Sequence, residues 1–314
     1  MITELNDTTS DQILSELEKA HRAEGSGSGM VHTLLVACQA VSFERAFAAA
    51  RDAAREHPSR VILVVENPTQ QGLDARVQLG EGVPGDIVTL TVPQDLTEHL
   101  ETLLLPLLLP DSPVVAWWPG ESPTNLSQDP VGRLATRRIT DAGGVDDPLA
   151  ALHCRALNHS PGDTDLTWTR LTPWRALLAA ALDQHPALVL SAEVEAAPHN
   201  APAELLAAWL ADRLEVEVVR AESAGPGITG VRLHAADGDF ALLRPSGATA
   251  SYEVPGQPRR TVALARRAMN ALITEELRHA APDEMFEDAC QEYLRRAETG
   301  LARSSSPRRD ETDR

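Results

Sequence analysis

The chain has 314 residues, of which 43% are hydrophobic and 24% charged, enough for one or two domains with real cores. Lys and Arg total 28 against 46 Asp and Glu, a formal net charge of -18 that repels phosphate backbones and anionic lipid and so excludes nucleic-acid and polybasic membrane binding. Cys38, Cys154 and Cys290 are few, odd in number and far apart, which excludes a disulfide framework and a structural zinc site.

The N-terminus, MITELNDTTSDQ, is acidic and polar and is no signal peptide. Residues 11–23 read as a short amphipathic helix with Ile13, Leu14 and Leu17 on its apolar edge and Ser10 as N-cap. GSGSG at 25–29 then makes a flexible joint, so that 1–29 is an arm plus linker. From Val31 the pattern turns α/β: the apolar strand VHTLLVAC, the alanine-rich helix FERAFAAARDAAREH, a stop at Pro58-Ser59, and the buried strand RVILVVE. That succession is the size of a βαβ unit with a parallel sheet. ARVQLG and DIVTLTV, split by a Gly/Pro turn, read as a hairpin; Thr97 to Leu105 is helical up to Pro106; VVAWW is a short buried strand. DPVGRLATRRITDA at 129–142 reads as a helix that closes a first domain, Rossmann-like and spanning 30–150.

A second α/β (α+β) domain is expected over 151–302. It begins with the helix DPLAALHCRALNH and the turn SPGDTD. Thr172-Pro173 starts another helix, a hydroxyl N-cap with proline at N1, that runs to His185-Pro186. The strand ALVLSAEVEA, the helix PAELLAAWLADRL and the strand-like runs VEVVRA, GVRLHAA, FALLRP and ATASYEV follow. Residues 262–280 and 283–298 read as helices split at Pro282, and the polar tail 303–314 as disordered.

Few motifs point to chemistry. Two GxGxxG strings, Gly80–Gly85 and Gly225–Gly230, lead into strands and contain proline, whereas a dinucleotide loop must end a strand and open a helix. They are turns. HExxH, GxSxG and the P-loop string are missing, and His153, Cys154 and His159 do not share a helix face. Asp163 and Asp165 in PGDTD suit backbone N–H groups better than acid/base work, and Cys290 sits on an apolar stripe with Phe286 and Tyr293. No catalytic, cofactor-binding or metal-binding residue is therefore assigned.

What stands out is the middle of the chain, where four of five tryptophans gather with arginines in a chain whose one lysine is Lys19. Trp117, Trp118, Arg133, Arg137, Arg138, Trp168, Arg170, Trp174 and Arg175 fall there. On the expected helix Arg133 and Arg137 are i,i+4 neighbours, and Trp168 and Arg170 share one side of an expected extended segment. Tryptophan and arginine are enriched at interface hot spots, which makes these nine a candidate partner surface. The competing reading places the tryptophans in the core and pairs the arginines with the abundant acids.

The same segments resemble the glucose-6-phosphate dehydrogenase assembly protein family (OpcA). LLLPDSPVVAWWPGE at 107–121, DPVGRLATRRITDA at 129–142 and PGDTDLTWTRLTPWRALLAAALDQ at 161–184 are similar to its signatures, as are REHPSRVILVV, ELLAAWLADRL, PGQPRRTVAL and DTTS at 7–10. The resemblance implies a cytoplasmic, non-enzymatic partner and activator of glucose-6-phosphate dehydrogenase, in the NADPH-supplying oxidative pentose phosphate pathway, without cofactor, nucleic acid or membrane. The alternative is a phosphosugar- or NADP-binding module or enzyme of that pathway, its arginines serving as phosphate forks.

Overall fold

The structure, a computed structural model, describes residues 1–24, 29–80, 83–279 and 281–300. Most of the expected GSGSG joint and the expected tail lie outside them. In chain order the elements are β1 (Ile2–Leu5), α1 (Ser10–Glu24), β2 (His32–Gln39), α2 (Phe43–Glu56), β3 (Ser59–Glu66), β4 (Asp74–Gly80), β5 (Val83–Val92), α3 (Leu100–Leu104), β6 (Val114–Trp117), β7 (Arg137–Thr140), α4 (Pro148–Leu157), β8 (Asp163–Asp165), α5 (Leu166–Thr169), α6 (Thr172–Gln184), β9 (Val189–Ala196), α7 (Ala201–Leu214), β10 (Glu217–Glu222), β11 (Ile228–Ala235), β12 (Gly238–Leu243), β13 (Thr249–Glu253), β14 (Arg260–Ala263), α8 (Met269–Glu276) and α9 (Glu284–Thr299). They form two α/β units, one of 1–145, 158–166 and 268–282, the other of 146–157, 167–267 and 283–314. The units interleave in sequence, whereas the sequence expectation divides the chain once, at residue 150, inside α4.

The first unit is an eight-stranded sheet in the order β1-β4-β5-β3-β2-β6-β7-β8. From β5 to β8 every pairing is parallel, while β4 pairs antiparallel with β5 and β1 with β4. Counted along the chain, the six parallel strands lie in the order 3-2-1-4-5-6 of a doubly wound Rossmann sheet. Both faces are covered, which is why β2 and β3 are continuous apolar runs rather than alternating ones. One face packs Leu35, Ile62, Val64 and Val88 with Ile13 and Leu17 of α1 and Leu100 and Leu104 of α3. The other packs Leu34, Val36, Val61 and Leu63 under the alanines of α2 and under Leu272 and Ile273 of α8.

The N-terminal arm thus docks on its own unit. Thr9 begins α1 through a reciprocal capping box, its N–H on Gln12 Oε1 at 3.1 Å and its Oγ1 receiving Gln12 N at 3.4 Å. The cap is one residue earlier than expected, because the Ser10 hydroxyl is turned to the Leu103 carbonyl at 2.9 Å. His21 then meets Asp86 Oδ1 at 2.8 Å, and Asp86 Oδ2 accepts from Arg60 Nε at 2.9 Å. β1, unforeseen in the sequence, adds an edge strand beside β4.

Residues 129–142 are not a helix. Asp129 Oδ1 accepts the N–H groups of Val131 and Gly132, a side-chain turn that starts only a short 3₁₀ segment, Gly132–Leu134. A Cβ on Gly132 would lie 1.7 Å from the Leu126 carbonyl oxygen, so the close approach needs glycine. The chain then extends into β7, hydrogen-bonded between β6 and β8.

The second unit is built on a six-stranded sheet ordered β10-β9-β11-β12-β13-β14, with β9 and β10 parallel and the rest antiparallel. α7 connects the parallel pair. Asn200 caps it by accepting Ala203 N at 2.9 Å, and Glu215 ends it in the left-handed conformation. α9 starts at Asp283, which accepts Phe286 N at 3.1 Å, and stops at Gly300 with φ 71°. α6 begins without the expected cap: Thr172 is already helical and Leu171 occupies the capping position. The expected helix 262–280 is instead the strand β14 followed by the shorter α8.

Candidate functional site

A doubly wound sheet places its ligand crevice at the carboxyl ends of the strands, where the strand order reverses. Here that point lies between β2 and β6, beside the Gln39-Ala40-Val41-Ser42 connection and Trp117-Trp118-Pro119. A dinucleotide needs glycines there, so that backbone N–H groups reach the pyrophosphate. The connection has none. A 3₁₀ turn, Ala40–Ser42, intervenes before α2, Ser42 Oγ donates to the Gln39 carbonyl at 3.1 Å, and Val41 projects with 91% exposure.

The electrostatics are also wrong for phosphate. Glu66 ends β3, and burial, then the neighbouring Asp129 carboxylate, lift its carboxyl above the usual range. Burial lifts Asp129 as well, against the opposing pull of the Val131 and Gly132 N–H groups and Arg133. The Cys38 thiol is pushed up to about 11 by burial and then Glu66, opposed by the Ser42 hydroxyl, and so stays protonated at neutral pH. A protonated thiol is a poor nucleophile and metal ligand. The residues at this crevice do not fit a dinucleotide.

Neither glycine string ends a strand and opens a helix, as a dinucleotide loop must. Gly225–Gly230 crosses from a loop into β11, with φ 76° at Gly225 and 64° at Gly227. Gly80–Gly85 joins β4 to β5, and its residues 81–82 lie outside the described residues. Among the described residues no group of three His, Cys, Asp or Glu side chains is arranged to hold a metal ion. His153 instead faces the Tyr293 ring edge-on at 6.2 Å, and Cys290 is buried.

The nine residues expected at a partner surface divide by burial. Trp117 and Trp118 are 0% and 4% exposed, Trp168 and Trp174 1% and 2%, so none offers contact area to a partner. Trp168 Nε1 donates to Asp283 Oδ2 at 2.7 Å, which fixes the indole to the residue that caps α9. Arg175 lies over the Trp168 ring at 3.5 Å. Arg137 and Arg138 are buried on β7, not on a helix face. Arg137 Nη2 donates to Glu276 Oε2 at 2.7 Å and Nη1 to the Ala281 carbonyl at 2.5 Å, clipping the returning segment 268–282 to the sheet. Arg138 pairs with Asp163 and donates to the Ala135 carbonyl at 3.0 Å and the Pro161 carbonyl at 2.6 Å.

Asp163 and Asp165 do hold backbone N–H groups, those of Ser160 and Ala142, both at 2.9 Å. Trp168 and Arg170 do not alternate along an extended segment, because Leu166–Thr169 is a helical turn. Arg133 stays exposed, paired with Glu101 at 2.8 Å, while Arg170 and Arg175 are half-buried. Burying six of the nine corrects the surface expectation: aromatic and arginine clustering here is first a matter of packing and ion pairing.

Comparison with known proteins gives two family matches, both to domains of a glucose-6-phosphate dehydrogenase subunit. Residues 50–157 match its N-terminal domain and residues 161–290 its C-terminal domain. No curated protein matches. Solved structures that resemble the chain include an oxidoreductase from Sinorhizobium meliloti, at 9% identity over 86% of this chain and 98% of that one, TM-score 0.45. A dehydrogenase (MviM) from Clostridium difficile matches at 7% identity over 85% and 98%, TM-score 0.41. Likenesses this distant assign no activity.

Proposed function

This chain belongs to the glucose-6-phosphate dehydrogenase assembly protein family (OpcA), and from that membership we propose that it is a non-catalytic cytoplasmic factor that binds glucose-6-phosphate dehydrogenase and promotes its active oligomer. The observation that carries the proposal is the pair of family matches, which together span both α/β units. Supporting it, the β2–α2 connection lacks glycine and begins at Gln39, which pairs with Glu66, itself near the Asp129 carboxylate, an arrangement unsuited to a nicotinamide cofactor. Such a factor acts by differential affinity: if it binds the active assembly more tightly than the inactive one, it shifts that equilibrium by the ratio of the two constants. Each unit carries its own candidates for contact, the exposed Arg133 on the first and the half-buried Arg170 and Arg175 on the second.

Calorimetric titration of the cognate dehydrogenase with the full chain tests the proposal. Saturable binding accompanied by a change in kcat or KM is the expected result. Heat no greater than dilution, with unchanged kinetics, would overturn it.

A further inference from the structure

Arginine gathers a second time, in the second unit, where the proposed function makes no use of it. Arg244 follows β12 and is 6% exposed. Its Nη1 donates to the Leu264 carbonyl at 2.9 Å and its Nη2 to the Ile228 carbonyl at 3.1 Å, while the guanidinium carbon lies 4.8 Å from the Trp174 ring centre. The buried Arg60, Arg137, Arg138 and Arg220 each meet a carboxylate: Asp86, Glu276, Asp163 and Glu204. Arg244 has no carboxylate partner among the described residues, and its Nε has no acceptor.

Its charged neighbour is another arginine. Burial, then the Arg266 charge, hold Arg244 below the usual arginine range. Arg266 is exposed and has no hydrogen bond or ion pair among the described residues. Its Nη2 lies against Gly227, 2.8 Å from where a Cβ would stand, and its Nε is 3.9 Å from the corresponding point on Gly247. Those glycines have φ of 64° and 76°, so the ground under Arg266 is bare backbone that no side chain crowds.

Two adjacent guanidinium groups without a counterion repel each other, and the burial of Arg244 removes the water that would screen them. This occurs in a chain with 46 acidic residues, any of which, placed here, would have neutralised the pair. Two uncompensated positive charges match a dianion better than a single carboxylate, and the solvent-facing Arg266 fork suits bidentate contact with phosphate oxygens. We propose that Arg266, backed by Arg244 and floored by Gly227 and Gly247, binds a phosphate dianion, either free or carried as a monoester by a small molecule. The site lies within the second unit and does not depend on the dehydrogenase reading.

The test is titration of the full chain with inorganic phosphate, methyl phosphate and acetate at constant ionic strength, read by tryptophan fluorescence and by thermal shift. Both phosphates are expected to bind saturably and acetate at least tenfold more weakly. Arg266→Gln, which breaks no hydrogen bond, is expected to keep the wild-type Tm and lose phosphate affinity at least tenfold. Methyl phosphate binding at least as tightly as inorganic phosphate marks a monoester site, and weaker binding marks a free-phosphate site; either supports the assignment. No saturable phosphate binding, acetate binding as tightly, or an unchanged affinity in Arg266→Gln would overturn it.

Discussion

Arg137 separates a partner surface from a structural clip. Substituting Arg137→Met keeps most of the side-chain volume but leaves Glu276, whose side chain is 7% exposed, without its arginine. Breaking one side of a buried pair costs about 3–5 kcal/mol, and the Ala281 carbonyl loses a donor worth about 1 kcal/mol more. At a urea slope of about 3 kcal/mol/M, reasonable for a chain of this size, the midpoint of the first unit falls by about 1–2 M. The double variant Arg137→Met/Glu276→Leu replaces the pair with apolar groups and is expected to recover at least half of that loss. Urea unfolding, paired with hydrogen exchange of β7 and of α8, measures both effects on the unit that contains the clip. A single variant within about 1 kcal/mol of wild type, or a double variant no better than the single, would refute the reasoning. If the single variant also fails to bind a partner, that loss follows from unfolding and assigns no contact.

Three other outcomes follow from named contacts. His32 is 4% exposed, and Ser59 Oγ donates to the His57 carbonyl, so His32 Nε2 donates to Ser59 at 2.9 Å. Burial, then His57, lower its pKa to about 4, so the unfolded chain takes up a proton below about pH 6.5 that the folded chain refuses. Relative to His32→Gln, the wild type should lose about 1.4 kcal/mol between pH 7.5 and 5.5 and about 2.5 kcal/mol by pH 4.5; parallel stability curves for the two proteins would contradict this. Gly162→Ala puts a Cβ 2.4 Å from the Thr136 carbonyl oxygen at φ 92°, and should cost about 2 kcal/mol or more in chemical denaturation, whereas an unchanged midpoint would mean the turn relaxes freely. Arg133→Glu, an exposed reversal beside Glu101, should leave the unfolding free energy from urea titration within about 0.5 kcal/mol and slow association with the dehydrogenase several-fold in a salt-dependent way. Association rates equal to wild type at low salt would remove Arg133 from the contact.

The parallel core of the first unit was legible because strands covered on both faces must be continuously apolar, as HTLLVACQ and SRVILVVE are. β7 was not. Its four residues, RRIT, carry two arginines whose partners, Glu276 and Asp163, lie far along the chain, and local periodicity cannot register a pairing across that distance. The same blindness turned buried ion pairs and stacked indoles into an apparent surface. Asp129 accounts for the misread helix, since its carboxylate takes the first N–H groups and favours a turn over propagation. Arg244 and Arg266 are not legible together for a related reason: they are 22 positions apart, and what brings them near is the Arg244 Nη1 bond to the Leu264 carbonyl, two residues before Arg266. The lack of glycine between β2 and α2, by contrast, was visible in the letters QAVS, although its meaning required the strand order.

A factor that promotes an active oligomer changes the size of the dehydrogenase assembly, and sedimentation velocity reads that size directly. The dehydrogenase, held at a concentration where its smaller species predominate, is titrated with the full chain. A faster-sedimenting, active assembly that grows with added chain and saturates at a fixed ratio is the expected result. An unchanged distribution of dehydrogenase species, with this chain sedimenting separately at every ratio, would contradict it.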